Sequence, residues 1–273
     1  MNKLQEFAQY LASEERSPLT QEKYLRDIRK FLAWAGGREI TKPLVLAYKG
    51  ELAAGYAPAS VNSMLSSLNR YLSFIGMEQC RVRSLKYQRE VFCPEEKELT
   101  RQEYQRLLKA AEGDQRLWLL MQTICATGIR VSEHRYVTVE AARRGSATVR
   151  GKGKLRTVLI PRKLCAALLR YCRQRGICSG SIFLTAGGAP LDRSRIWAMM
   201  KGLCRGAGVS PKKVFPHNLR HLFARVYYST QKDIVRLADI LGHSSINTTR
   251  IYTRESGNIH RMQIEKMPLL LIT

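Results

Sequence analysis

The sequence predicts a mostly α-helical protein with a small β-sheet, arranged as an N-terminal helical domain and a larger α+β domain. Three observations carry this expectation. Apolar residues recur at helical spacing over most of the chain, residues 146–161 alternate instead, and the periodicity lapses across residues 77–99.

Leu4, Phe7 and Leu11 share one helical face. Thr20 is a candidate cap for a second helix, whose Tyr24, Ile28, Phe31 and Ala35 recur until Gly36-Gly37 ends it. Thr41 and Pro43 open a third, to about Ala54. Ser60 is a candidate cap for a fourth, carrying Val61, Met64, Leu65, Leu68, Leu72 and Ile75 before Gly76. The polar faces of this bundle carry Arg26, Arg29, Lys30 and Arg70 as candidate phosphate contacts. Residues 1–88 are expected to form this helical domain, 89–98 a linker around Pro94, and 99–273 the second domain.

The second domain opens on a capping box, Thr100 with Glu103. An apolar helix over 116–126 follows and breaks at Thr127-Gly128. The alternating "SATVRGKGKLRTVLIP" reads as a β-hairpin with Lys152 at or beside its tip. Helical patterns return over 162–175, 192–207, 217–228 and 233–242.

Charge narrows the function. The chain has 46 Lys and Arg against 22 Asp and Glu, a net +24. Between Glu140 and Asp233 stand twenty Lys and Arg and a single acid, Asp192. Such a field attracts polyanions, and nucleic acid is the expected partner. An anionic membrane is the weaker candidate, because no basic amphipathic helix with an aromatic face stands out. No apolar run approaches the roughly 18–20 residues that span a bilayer, and the charged start does not read as a secretory signal. Seven cysteines, an odd number without a C-x-x-C pair, argue for reduced thiols and a cytoplasmic location rather than a disulfide framework.

Four pieces carry chemistry. Arg130 follows a glycine turn in "ATGIRVSE", with Glu133 three residues on; the hairpin offers Lys152; "HNLRH" puts His217 and Arg220 at i and i+3; and "LGHSSINTTRIYTR" supplies His243 and Tyr252. Paired arginines can neutralise and orient a phosphodiester. A phenol can attack phosphorus if a base or a cationic field assists it, and a lysine can protonate a departing alkoxide. His217 and His221 match zinc-ligand spacing, but the H-E-x-x-H glutamate and a third ligand are missing, so no metal is expected.

Together these motifs, T-G-I-R-V-S-E at 127–133, G-K-G at 151–153, H-N-L-R-H at 217–221 and L-G-H with Tyr252 at 241–252, resemble the tyrosine recombinase or phage integrase family, in its short two-domain, Xer-like form. The N-terminal helices are similar to the family's core-binding (SAM-like) domain, and the rest to its α+β catalytic domain. The resemblance implies Arg130 and Arg220 as the clamp on the scissile phosphate, and His217 and His243 as hydrogen-bond donors and proton-transfer partners. Lys152 becomes the acid for the 5′-hydroxyl, with Lys154 its rival, and Tyr252 the nucleophile, presented to DNA on a short, loosely packed helix. Glu133 supports the site from behind, and Lys154 and Arg156 join the DNA contacts. It further implies site-specific recombination through a 3′-phosphotyrosyl link and a Holliday junction, without cofactor. The partner it implies is double-stranded DNA, and the assembly a homotetramer on two duplexes in which the tail, residues 257–273, docks on a neighbour. A type IB topoisomerase and a silent DNA-binding regulator are the rival readings. Three departures stand out: His134-Arg135-Tyr136 where the family tends to be apolar, Arg143-Arg144 in place of a more usual acidic turn, and "STQKD" at 229–233 where a glycine commonly precedes the helix leading to L-G-H.

Overall fold

The computed structural model describes residues 3–87, 95–151, 154–243 and 245–252. The chain divides into two compact units, Met1–Arg89 and Glu90–Thr273.

The first unit is a four-helix bundle: α1 Lys3–Ser13, α2 Pro18–Ala35, α3 Lys42–Gly55 and α4 Pro58–Phe74. Its core is the set of apolar stripes that the periodicity predicts, with Phe7, Leu11, Ile28, Phe31, Val45, Val61, Leu65 and Leu72 fully buried. Two caps differ from expectation. Ser17, not Thr20, caps α2 by accepting the Thr20 N–H at 3.4 Å. The fourth helix starts at Pro58, so Ser60 falls inside its first turn and Ala57 provides no side-chain cap. In both cases a proline, whose missing N–H costs nothing in the first turn, sets the start. The aperiodic stretch after α4 is tied back to the bundle. Asn69 pairs with the Val82 backbone through both its amide groups, at 2.8 and 2.9 Å, and Asn62 does the same for Leu85 at 3.0 and 2.7 Å.

In the second unit, α5 Arg101–Ala110 carries the predicted capping box with both hydrogen bonds formed. It is followed by α6 Gln115–Thr127, a 3-10 turn at Val131–Tyr136 and α7 Val139–Arg144. Strands β1 Ser146–Gly151 and β2 Lys154–Leu159 pair antiparallel from Ser146↔Leu159 to Gly151↔Lys154, the only sheet among the described residues. Then come α8 Arg162–Arg175, α9 Arg193–Gly202, α10 Cys204–Ala207, α11 Pro216–Gln231, α12 Ile234–Leu241 and α13 Ile246–Thr249, with a closing 3-10 turn at Arg250–Tyr252. The expected helix over 192–207 is thus two helices. The apolar helix α6 is buried at the centre of the unit, packed against α8, α9 and α11. Among the described residues no helix is long and apolar enough to cross a membrane.

Candidate active site

The site forms where α6, the hairpin, α11 and α12 end or begin close together. At the C-terminus of α6, Gly128 adopts φ +65°, which favours glycine, and a Cβ there would come within 2.5 Å of the Phe223 ring. The turn directs the Gly128 carbonyl at Arg220 and leads to Arg130.

Arg220, only 1% exposed, donates to the carbonyls of Gly128 at 2.6 Å and Leu241 at 2.8 Å, and to Nε2 of His243 at 2.9 Å. Burial, and then Arg130, push its pKa down, whereas the Tyr252 hydroxyl beside it opposes that shift. Arg130 is more open and lies against Glu133, which is 3% exposed. The Glu133 carboxylate accepts from the Arg130 side chain at 3.0 Å and its backbone N–H at 2.8 Å, and from Arg156 at 2.6 Å.

The histidines are held neutral. His243 is pushed down to about 4 by burial, then by Arg220, Arg130, Arg156 and His217. His221 is pushed down to about 3 by burial, then by His217, Arg225 and Arg220. His217 keeps a solvent-exposed edge, yet desolvation by its surroundings and then Arg220, Arg130 and Arg193 lower it as well. The rings of His217, His221 and Tyr252 form a row, with successive centroids 4.4 and 4.6 Å apart and both contacts edge-to-face. Among the described residues no group of three or more His, Cys, Asp or Glu is placed to hold a metal ion.

Beside this row lies an open cavity of about 550 Å³ lined by Arg130, Arg150, Gly151, His243 and Thr248 among others. It reaches the end of the hairpin. Lys152 itself, the side chain of Lys154 and the tail lie outside the described residues.

Geometry and family motifs coincide here, and the comparisons decide the family. Residues 97–258 match the model of the phage integrase family, and residues 4–79 that of the phage integrase N-terminal SAM-like domain.

The chain belongs to the phage integrase family.

Among its relatives is the tyrosine recombinase XerA of Pyrococcus furiosus, 33% identical, with 98% of this chain and 94% of the relative covered. A crystal structure of a XerA recombinase matches with a TM-score of 0.54 at 27% identity, covering 98% of this chain and 99% of that one. A lambda integrase dimer bound to a core site shares the fold with a TM-score of 0.72 at 20% identity, over 93% of this chain and 95% of that one.

Of the residues that the sequence nominates, Arg130, Glu133, His217, Arg220, His243 and Tyr252 are brought together. Several nominated residues, Tyr252 among them, are placed otherwise than expected. Tyr252, expected on a loosely packed helix open to DNA, is 3% exposed and packs with Ala224, Leu237 and Leu241. Arg156, expected as a DNA contact, is turned inward. It bonds Glu133 and the Ile240 carbonyl at 2.7 Å, and its stem lies where a Cβ on Gly242 would stand, 2.4 Å from Arg156 Cδ. Arg70 pairs with Glu14 and stacks over Tyr10, and Lys30 pairs with the Tyr56 hydroxyl. Both are therefore already engaged; Arg26 is exposed but pairs with Asp27 at 3.4 Å, and Arg29 is exposed. His134, a departure from the family pattern, is a buried strut with Nδ1 2.5 Å from the Val131 carbonyl.

Sequence reasoning missed two neighbours of the site. Arg193 begins α9 and acts on His217 electrostatically. Thr249, six residues after His243, has its Oγ1 2.8 Å from Nδ1 of that ring. No motif spacing signals either.

Proposed function

We propose that this chain cleaves and rejoins DNA at specific sites, with Tyr252 as nucleophile, as a homotetramer acting in the cytoplasm on two duplexes. The observation that carries the reading is the convergence of two arginines, two neutral histidines and one tyrosine on a single point, in a unit with strong positive charge.

Arg220 and Arg130 supply N–H donors and charge for the phosphate and for the extra negative charge that builds on its oxygens during attack. The Tyr252 oxygen forms a bond to phosphorus while the bond to the 5′-oxygen breaks. The phenolic proton passes to neutral His217, His243 donates to a phosphate oxygen, and the departing oxygen takes a proton from Lys152. The product is a 3′-phosphotyrosyl link and a free 5′-hydroxyl, and attack by the 5′-hydroxyl of a partner strand reverses the step. Because the phosphotyrosyl bond retains the energy of the phosphodiester, no cofactor is needed. For attack, the phosphate must replace the present contacts of Arg220 with His243 and Tyr252, so DNA entry and the release of Tyr252 from its packing are one event. The names of the relatives, tyrosine recombinases and a lambda integrase, support recombination as the outcome. A junction-bound lambda integrase tetramer of the same fold supports the assembly. Docking of residues 257–273 on a neighbouring protomer is the way we propose the subunits are coupled.

The test is covalent capture. Wild-type protein incubated with nicked genomic fragments should form an adduct on a 3′-phosphate, from which the target sequence can be read, and Tyr252→Phe should form none. A 5′-linked adduct, or an adduct persisting in the phenylalanine variant, overturns the reading.

A further inference from the structure

His243 is held through both ring nitrogens. Nε2 lies 2.9 Å from an Arg220 guanidinium nitrogen, and Nδ1 lies 2.8 Å from Thr249 Oγ1. A guanidinium offers only donors, so Nε2 must present its lone pair to Arg220. The ring is neutral, so its single proton is on Nδ1 and is donated to the Thr249 hydroxyl oxygen. Thr249 is fully buried, at 0% exposure, and ends α13, three residues before Tyr252. Its hydroxyl therefore ties the histidine to the turn that carries the tyrosine.

We propose that Thr249 is a positioning residue whose hydroxyl, able to accept or to donate, holds the His243 ring with its proton on either nitrogen. The inference rests on the role proposed above for His243 in the cleavage site.

A hydroxyl can both accept and donate. As acceptor, Thr249 favours the proton on Nδ1, which leaves Nε2 to receive the Arg220 N–H. When a phosphate oxygen takes that N–H instead, Nε2 loses its donor and faces an acceptor. Nδ1 then gives its proton to water, Nε2 takes one from water, and the Thr249 hydroxyl rotates to donate to Nδ1. The net charge is unchanged, and His243 now donates to the phosphate from Nε2. A buried partner that can only accept, or only donate, would stabilise one of these two states and oppose the other. Threonine and serine serve both. Valine has nearly the same shape as threonine and serves neither.

Nitrogen NMR of the full-length protein labelled with 15N-histidine, without DNA, reads the first half. His243 should show the Nδ1-protonated pattern in all three proteins, because Arg220 still claims the Nε2 lone pair, with the Nδ1 resonance matching wild type in Thr249→Ser and displaced in Thr249→Val, where the N–H has lost its acceptor. Single-turnover cleavage of the duplex recovered by covalent capture reads the second half. Thr249→Val should cleave roughly tenfold to a hundredfold more slowly, the cost of leaving a buried ring nitrogen unpaired, with DNA affinity unchanged. Thr249→Ser should recover most of the rate, and it keeps the test decisive if the valine variant folds poorly. Nε2-protonated His243 in the wild type, wild-type cleavage by Thr249→Val, or a serine variant as slow as the valine one would each overturn the proposal. Absence of any covalent product from the wild-type protein would instead strike the recombinase reading, and leaves the NMR result to stand or fall by itself.

Discussion

Arg220 donates a hydrogen bond to Nε2 of His243 across 2.9 Å, while its other bonds reach Gly128 and Leu241. One buried guanidinium thus joins α11 to the turn after α6 and to the end of α12. The group best suited to bind a phosphate also holds the unit together, and the two uses compete for the same N–H groups.

Arg220→Lys is therefore expected to fail in two ways. An ammonium keeps the charge but cannot reach two carbonyls and a ring nitrogen in one plane. Unfolding free energy should fall by roughly 2–3 kcal/mol, since bonds to charged groups contribute more than neutral ones. Covalent capture should be lost even where DNA still binds. Urea denaturation with a filter-binding assay checks both, and a lysine variant that forms adducts at the wild-type rate refutes the clamp.

Gly128 offers a sharper contrast. Its φ of +65° and the 2.5 Å approach of Phe223 leave no place for a methyl group, whereas Gly36, at φ +59°, faces open space. Gly36→Ala should cost about 1 kcal/mol, the strain of the left-handed backbone alone. Gly128→Ala should cost about 2 kcal/mol or more, because the Phe223 ring must also move and the carbonyl aimed at Arg220 moves with it. Thermal unfolding of the two variants side by side measures the difference, and equal losses would mean that Phe223 yields freely.

How much of this was legible in the sequence varies residue by residue. The pairing of His217 with Arg220 follows from i,i+3 spacing on one helix, and the Glu133 cap follows from its place three residues after Arg130. Arg156 was misread although the strand pattern held the answer. In β2, residues 154, 156 and 158 share one face, and Val158 on that face is buried while Leu155 and Leu159 on the other are 70% and 77% exposed. Side-chain alternation along the strand then turns Arg156 inward. The burial of Tyr252 was not legible, because α13 and the turn after it are too short for periodicity to show which face meets α11. Thr249 is a contact made by tertiary folding, six residues from its partner, which no helix or strand period brings together.

Glu133 is the only carboxylate bonded to both Arg130 and Arg156 among the described residues. Glu133→Gln removes its charge and leaves Arg156 partly buried without a counter-ion. Breaking such a pair from one side should cost roughly 2–4 kcal/mol. Arg156→Met keeps the stem that packs beneath Gly242 and removes the charge, so the double variant should be more stable than the sum of the single losses by about 1 kcal/mol or more. A double-mutant cycle by urea denaturation gives that coupling. Additive losses would show that Arg156 is held by the Ile240 carbonyl alone.

The neutral histidines make stability depend on pH in a fixed direction. His221 has a pKa of about 3 in the fold, against roughly 6.5 in an unfolded chain. Below pH 6.5 the unfolded state therefore binds a proton that the folded state refuses, so stability present above 6.5 is lost as pH falls toward 3. Between pH 7.5 and 5, His221 should cost the fold about 2 kcal/mol. His243, held at about 4, shifts in the same sense over the upper part of the same window. The ring of His221 stands between His217 and Tyr252, so a phenylalanine there preserves the edge-to-face row without a titrating nitrogen. His221→Phe should accordingly flatten the fall of the urea midpoint between pH 7.5 and 5 by about one proton's worth, leaving the shares due to His243, His217 and His134, which are lowered in the same sense. Midpoints that do not change with pH in the wild type, or an unaltered slope in His221→Phe, would show that water reaches these rings and that the row beside Tyr252 is not a desolvated one.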